Sequence, residues 1–322
     1  MRLVVFGAGA VGGVLGGLLH EAGHDVRLVA RGAHFEAVQA HGLTIESADR
    51  RVTLPVPVFT DPSAAGASDA EAVLLCVKGQ DTATALAALV EAGARDVPLV
   101  CVQNGIANEP VALRVFADVY GVCVMFPTSH LTPGVVQQNS SPVPGLLDVG
   151  RFPSGVDPAT EALAAAFVSG GFESEPRDDI MRWKAAKLLM NLGNSAQALC
   201  GAIDGLGDLV RAARTEGMAA LDAAGVAYVS DEEDRARRGD LLTMKPIGDQ
   251  PRGGGSSWQS LVRGTGAIET DYLNGEIVLL GRLHGVPTPV NTLLQRLAAE
   301  AASSGAQPGS YTPAELLELA GL

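Results

Sequence analysis

Apolar positions follow one rhythm in the first half of the chain and another in the second. Arg2 to Phe6, Asp25 to Ala30, Ala70 to Val77 and Leu99 to Val102 are short aliphatic runs rich in β-branched residues. They are too short for ordinary helices and apolar enough for strands covered on both faces. Between them, Val11 to His20, Gly32 to His41 and Asp81 to Gly93 have helical length. Strand and helix in alternation predict a parallel sheet with crossover helices. Leu43 to Phe59 is β-like and carries Pro55 and Pro57, Val122 to Met125 and Val135 to Asp148 predict further strands, and a turn at Gly150 to Gly155 leads to a helix over Pro158 to Val168. Glu173 to Asp179 is a polar connector, and from Ile180 onward the pattern is helical almost throughout. The expected organisation is therefore an α/β domain over 1–176 and an all-helical domain over 177–322. Within the second, Ser230 to Asp240 reads as a solvated helix face or turn, Thr243 to Gly255 as a loop, and Ile268 to Leu273 as the opening of a long helix.

The first strand runs straight into Gly7-Ala8-Gly9-Ala10-Val11-Gly12, glycines in G-x-G-x-x-G spacing between a strand and a helix. That context makes the first domain Rossmann-type and dinucleotide-binding. Gly7 permits the tight turn, Gly9 lets a pyrophosphate approach the backbone, and Gly12 lets the helix pack on the strand. The helix N-terminus offers N–H groups and a partial positive charge to the phosphates. At the end of the second strand stands Arg31, where NAD-binding versions place a carboxylate for the ribose 2′-hydroxyl. A guanidinium suits a 2′-phosphate, so the expected cofactor is NADP(H). Lys78 and Gln80, past the carboxyl end of the next strand, are placed to touch cofactor, although a solvated loop lysine fits Lys78 as well. Gln103-Asn104-Gly105 follows the fourth; the Asn104 amide could hold nicotinamide or substrate, but Asn-Gly is equally a turn dipeptide, and locally the turn is the stronger reading.

His20-Glu21-Ala22-Gly23-His24 matches H-E-x-x-H, the spacing of zinc proteases. Gly23 should end the helix before His24 joins it, so no metal is expected. Four scattered cysteines, Cys76, Cys101, Cys123 and Cys200, read as buried thiols of a reducing compartment. A net charge of −13 argues against nucleic acid. No apolar run is long enough to span a membrane, and a strand starting within two residues of Met1 leaves no room for a signal peptide. A cytoplasmic protein is expected, with a homodimer as the commonest state.

The helical half carries two polar constellations. Lys187 and Asn191 stand i, i+4 on one helix face among Leu188, Leu189, Met190 and Leu192, with Asn194 and Ser195 a turn later. A lysine so embedded either snorkels to the surface or sits desolvated. The second constellation is Ser256-Ser257 and, beyond a predicted helical segment, Glu269.

Taken in order, these motifs are those of a family. GAGAVG at Gly7 to Gly12, Arg31, Lys78, QNG at Gln103 to Gly105, W…K-x-x-x-N from Trp183 through Lys187 to Asn191, Ser256-Ser257, ETDYLNG at Glu269 to Gly275 and HGVPTPVN at His284 to Asn291 resemble the ketopantoate reductases (2-dehydropantoate 2-reductases) nearly end to end. The resemblance implies a Rossmann domain and a helical domain with the active site in the cleft between them. It implies NADPH on the glycine turn and a 2-oxo acid substrate, ketopantoate first. Lys187 would protonate the developing alkoxide, and Asn104 would hold substrate or nicotinamide. Asn191, Ser195 and Ser257 would contact substrate, and Glu269 would accept from a substrate hydroxyl. The chain departs from the family at Asp204-Gly205, where a further Asn is common, and at Trp258-Gln259-Ser260, where Met-x-x-Asp is usual. Both fall near the substrate rather than the cofactor. Two other readings remain: a related 2-hydroxy or β-hydroxy acid dehydrogenase, and a silent NADP(H)-binding sensor. Lys187 speaks against the sensor, because cofactor binding alone gives no reason for it.

Overall fold

A computed structural model describes residues 1–201, 204–248, 253–264 and 266–322. The chain divides into two compact units, Met1–Lys184 with Ser230–Arg252, and Ala185–Val229 with Gly253–Leu322. The division falls at Lys184 rather than at 176, inside a helix, and Ser230–Arg252 rejoins the first unit instead of staying with the helical one.

The first unit is built on strands β1 (Arg2–Phe6), β2 (Asp25–Val29), β3 (Leu43–Glu46), β4 (Arg51–Leu54), β5 (Val58–Phe59), β6 (Ala72–Leu75), β7 (Leu99–Cys101), β8 (Val119–Met125), β9 (Thr128–Ser129), β10 (Val135–Gln138), β11 (Ser140–Pro142), β12 (Leu146–Arg151) and β13 (Leu242–Met244). Seven form one sheet in the order β12-β8-β7-β6-β1-β2-β5, parallel except for the antiparallel edge strand β12. Its central strands are covered on both faces, which is why they read as unbroken apolar runs: Leu3, Val4, Val5, Val73, Leu74 and Leu75 are all fully buried. The covering helices are α1 (Ala10–Glu21), α2 (Gly32–His41), α3 (Thr82–Glu91), α4 (Asn108–Leu113) and α5 (Pro158–Ser169). Glycines make α1 a poor helix on propensity, but they let it lie close to the sheet. A Cβ on Gly16 would sit 2.6 Å from Leu28 Cδ2. Strand order reverses between β1 and β6, and ligands of such sheets bind outside the carboxyl ends at that point.

The returning segment corrects two expectations. Helix α9 (Asp231–Arg238) is capped at Ser230 by a reciprocal bond with Glu233, but it is not merely a solvated face. Arg237, only 10% exposed, grips the buried Asp148 of β12 through two bonds of 2.7 and 2.9 Å. The expected loop at 243–255 begins as β13, paired antiparallel with β11, and its residues 249–252 lie outside the described ones.

Helix α6 (Ile180–Asn191) crosses the division. The second unit continues with α7 (Asn194–Cys200), α8 (Gly207–Ala223), α10 (Ser256–Val262), α11 (Asn274–His284), α12 (Pro289–Ser304) and α13 (Pro313–Ala320). Its core is aliphatic, with Leu188, Leu192, Leu199, Leu209, Leu221, Ile277 and Leu294 fully buried. Helix α8 packs closely through Gly217, whose Cβ would come 2.7 Å from Leu192 Cδ1. The segment expected to open a long helix is instead a 3-10 turn, Glu269–Tyr272, separated from α11 by Leu273 at φ −117° and ψ −89°. Asn274, directly after the break, is fully buried and bonded into a polar junction. Among the described residues, no helix is long and apolar enough to cross a membrane.

Candidate active site

The glycine turn and the residues expected to hold nucleotide lie in the first unit. After β1 the chain turns at Gly7 with φ +103°, and the N–H groups of Gly7 and Ala8 both bond to Val29 O at 3.1 Å. A Cβ on Gly12 would stand 2.2 Å from Gly7 O, so only glycine lets α1 start here. At Gly9 a Cβ would meet nothing within 4 Å. That open space, beside Ala10 and Val11 at an α1 N-terminus capped by no side chain, fits a pyrophosphate. His34 fixes the loop from behind. Its Nε2 donates to Ala8 O at 2.8 Å, and its Nδ1 accepts from Gly134 N–H at 2.9 Å. Burial lowers its pKa below the usual histidine range, in keeping with this neutral tautomer.

Arg31 extends beyond β2 with its side chain 88% exposed, at the N-cap position of α2. No carboxylate ends β2, but one lies near its arginine: Asp81 Oδ1 is 3.6 Å from Arg31 Nη2. Lys78 caps the 3-10 turn Gly79–Asp81 after β6, half-buried. Gln80 stands in that turn, and its Oε1 is buried with no hydrogen-bond partner among the described residues. The open cradle at Gly9 and this orphaned acceptor both fit a dinucleotide.

Past β7 the turn expected at Gln103-Asn104-Gly105 forms, with Gly105 at φ +79°. The Gln103 side chain donates to Val77 O (2.8 Å) and to the Thr82 hydroxyl (2.9 Å), tying this turn to the one after β6. Asn108 donates to Asn104 O at 3.1 Å, leaving Asn104 half-buried on a fixed backbone. Beneath it lies a residue that sequence reasoning missed. Lys184, 2% exposed, donates to Gln103 O (2.5 Å) and Val122 O (3.0 Å) and pairs with Glu109 Oε1 at 3.0 Å. Burial pushes the Glu109 carboxyl above the ordinary range, and the Lys184 ammonium opposes that. Lys184 stands beside Trp183 in a motif whose other lysine drew attention; its depth could not be read from spacing.

Lys187, Asn191, Ser257 and Glu269, expected at the substrate, lie in the second unit. Lys187 is half-buried on α6, one helical turn before Asn191 at 6% exposure. Ser257, in the first turn of α10, is 1% exposed, and its hydroxyl has no partner among the described residues. Glu269, at 5% exposure, opens the 3-10 turn. Ser195, expected to touch substrate, does not fit that role. It is fully buried, and its hydroxyl is committed to Asn274 Oδ1 (2.7 Å) and to Thr270 Oγ1 (3.0 Å). Asn274 in turn donates to Leu192 O and Asn291 Oδ1, and Asn291 donates to Ala213 O and to Glu216. Glu216 also receives the N–H groups of Val290 and Asn291 at the start of α12. This junction ties the end of α6, α7, α8 and α12 to the turn bearing Glu269. Its Asn274 and Asn291 belong to motifs visible in the sequence; only their direction was hidden. At the departure from the family pattern, the Trp258 indole packs on the glycine run before α10, where a Cβ on Gly254 would fall 2.3 Å from Trp258 Cγ.

The H-E-x-x-H spacing does not share one helix. Helix α1 ends at Glu21, Gly23 adopts φ +92°, and His24 bonds the N-terminal amine at 3.0 Å and the Ser169 hydroxyl at 2.8 Å. Among the described residues no group of three or more His, Cys, Asp or Glu could hold a metal ion.

Comparison with known proteins covers both parts of the chain. Residues 3–154 match the family described as ketopantoate reductase PanE/ApbA, and residues 179–302 match the C-terminal part of the same family. A 2-dehydropantoate 2-reductase of Halobacterium salinarum is 32% identical over 95% of this chain and 100% of its own length. The crystal structure of a PanE/ApbA family ketopantoate reductase from Ralstonia eutropha JMP134 superposes with a TM-score of 0.79 at 30% identity, covering 95% of this chain and 99% of that one. A D-mandelate dehydrogenase solved with NADH and anilino(oxo)acetate reaches the same TM-score at 22% identity, covering 95% of this chain and 99% of its own, and shares the fold. With both halves matched in order, the chain belongs to the ketopantoate reductase family, oxidoreductases that act on CH–OH groups with NADPH.

Proposed function

We propose that this protein reduces a 2-oxo acid to the 2-hydroxy acid with NADPH, 2-dehydropantoate being the foremost candidate. The observation that carries the reading is Lys187, a half-buried lysine on a helix whose neighbours Leu188, Leu189 and Leu192 are 2% exposed or less. A module that only binds nucleotide has no use for it. When bound, NADPH would supply the hydride that reduces the ketone. The residues at Gly7 to Gly12, with Arg31, Lys78, Gln80 and Asn104, bind and orient it. Lys187 donates a proton to the oxygen of the ketone as charge develops there, and as an ammonium it stabilises that charge. Asn191 and the unpartnered Ser257 hydroxyl hold polar groups of the substrate, and Glu269 accepts from its hydroxyl. A second reading, a different 2-oxo acid, is favoured by Trp258, which puts an indole where the family usually has methionine. The test is NADPH oxidation across a panel of 2-oxo acids, with Lys187→Ala alongside. Turnover of at least one acid, falling by about 10²–10⁴ in kcat for the variant, supports the reading. A wild-type protein inert towards every acid, or a variant with normal kcat, refutes it.

A further inference from the structure

We propose that Asp81 sets the cofactor selectivity of this protein by competing with a 2′-phosphate for Arg31, an inference that rests on the NADPH reading above. Arg31 is the guanidinium past the end of β2, 88% exposed, and Asp81 Oδ1 lies 3.6 Å from its Nη2. Asp81 comes from the turn after β6, held by its own N–H to Lys78 O at 2.8 Å. It stands at the start of α3, where an aspartate ordinarily accepts from the helix N–H groups. It caps none of them. Its carboxylate is turned to the arginine instead, so a negative charge from the turn after β6 stands beside the guanidinium that follows β2.

Two consequences follow from charge alone. A 2′-phosphate carries about −1.5 to −2 charges at neutral pH. Seated on Arg31, it would lie on the order of 5–6 Å from Asp81, and repulsion through water at that distance weakens binding about tenfold at low ionic strength. A neutral 2′-hydroxyl suffers no repulsion, and the same carboxylate can accept its hydrogen. Asp81 therefore narrows the preference for NADPH over NADH from both sides, while Arg31 maintains it.

The experiment is calorimetric titration of the protein, without substrate, by NADPH and NADH. The variants are Asp81→Asn, Arg31→Ala and, as a control for bulk charge, Asp96→Asn on the exposed loop before β7. Asp81→Asn should raise the ratio of NADPH to NADH affinity about tenfold, an effect that shrinks as salt is added. Arg31→Ala should collapse the ratio, and Asp96→Asn should leave it unchanged. A misfolded variant would lose both nucleotides together and could not produce a raised ratio. If wild type binds NADPH but Asp81→Asn shifts the ratio less than twofold, Asp81 has no such role and the NADPH reading stands. If wild type binds neither nucleotide, both fall.

Discussion

Removing the Lys184 ammonium while keeping its length, as in Lys184→Met, strips three acceptors at once: Gln103 O, Val122 O and Glu109. Lys184 is 2% exposed and Glu109 fully buried, so no water replaces the lost partner. Breaking a buried pair by deleting one member costs about 3–5 kcal/mol, because the survivor stays desolvated. For a unit of this size that lowers the melting temperature by about 6–20 °C. The deficit should also depend on pH. Burial already holds the Glu109 carboxyl above its ordinary value, and without the ammonium only a backbone hydrogen bond opposes that. A group whose folded pKa is raised stabilises fully only below its unfolded value. The variant should therefore be least impaired near pH 4 and increasingly so as pH rises. Lys184→Met/Glu109→Leu removes the stranded carboxyl and should recover most of the loss, leaving only the carbonyls, about 1–2 kcal/mol. Denaturant unfolding of wild type, single and double variants at pH 4.5 and 7.5 measures all of this. A single variant within 1 kcal/mol of wild type, or a double variant no better than the single, would refute the reasoning.

Two further expectations follow from the structure. Ser195→Ala should cost about 1–3 kcal/mol of stability by leaving buried groups of Asn274 and Thr270 unpaired, with NADPH affinity unchanged by calorimetry; a stable variant defective only in substrate KM would return Ser195 to the substrate. Burial raises the Asp157 carboxyl, but bonds from Thr160, Arg151 and Tyr120 outweigh it and bring it down to about 2. Its contribution is present above the ordinary aspartate value and lost as pH falls through about 2. Wild type should then lose about 1 kcal/mol over that window that Asp157→Asn lacks, read from acid unfolding curves.

The α/β half of the fold was legible because strands covered on both faces leave unbroken apolar runs, and Gly7, Gly9 and Gly12 declare a turn that few other residues could make. The crossing between units was not legible. Lys184 and Lys187 are three residues apart in the same helix, and nothing in their spacing says that the first belongs to the sheet's unit and the second to the helical one. The return of Ser230–Arg252 was hidden for a related reason: Arg237 looks like one charge among many until Asp148 is placed beneath it. Around the candidate site, the directions of side chains were not readable. Ser195 sits one turn beyond Asn191, as a substrate-binding residue could, yet its hydroxyl points into the Asn274 junction. Asp81 lies fifty residues from Arg31, too far for any motif to pair them.

The central claim, hydride transfer from NADPH to the keto carbon of a 2-oxo acid, is tested most directly by isotope tracing. The protein is incubated with 2-dehydropantoate and NADPH deuterated at nicotinamide C4 on the transferring face, and the product is read by mass spectrometry and NMR. The account predicts pantoate carrying one deuterium at C2, with Lys187→Ala forming it far more slowly. Pantoate without deuterium, or no product from this or any other 2-oxo acid while the nucleotide binds, would contradict it.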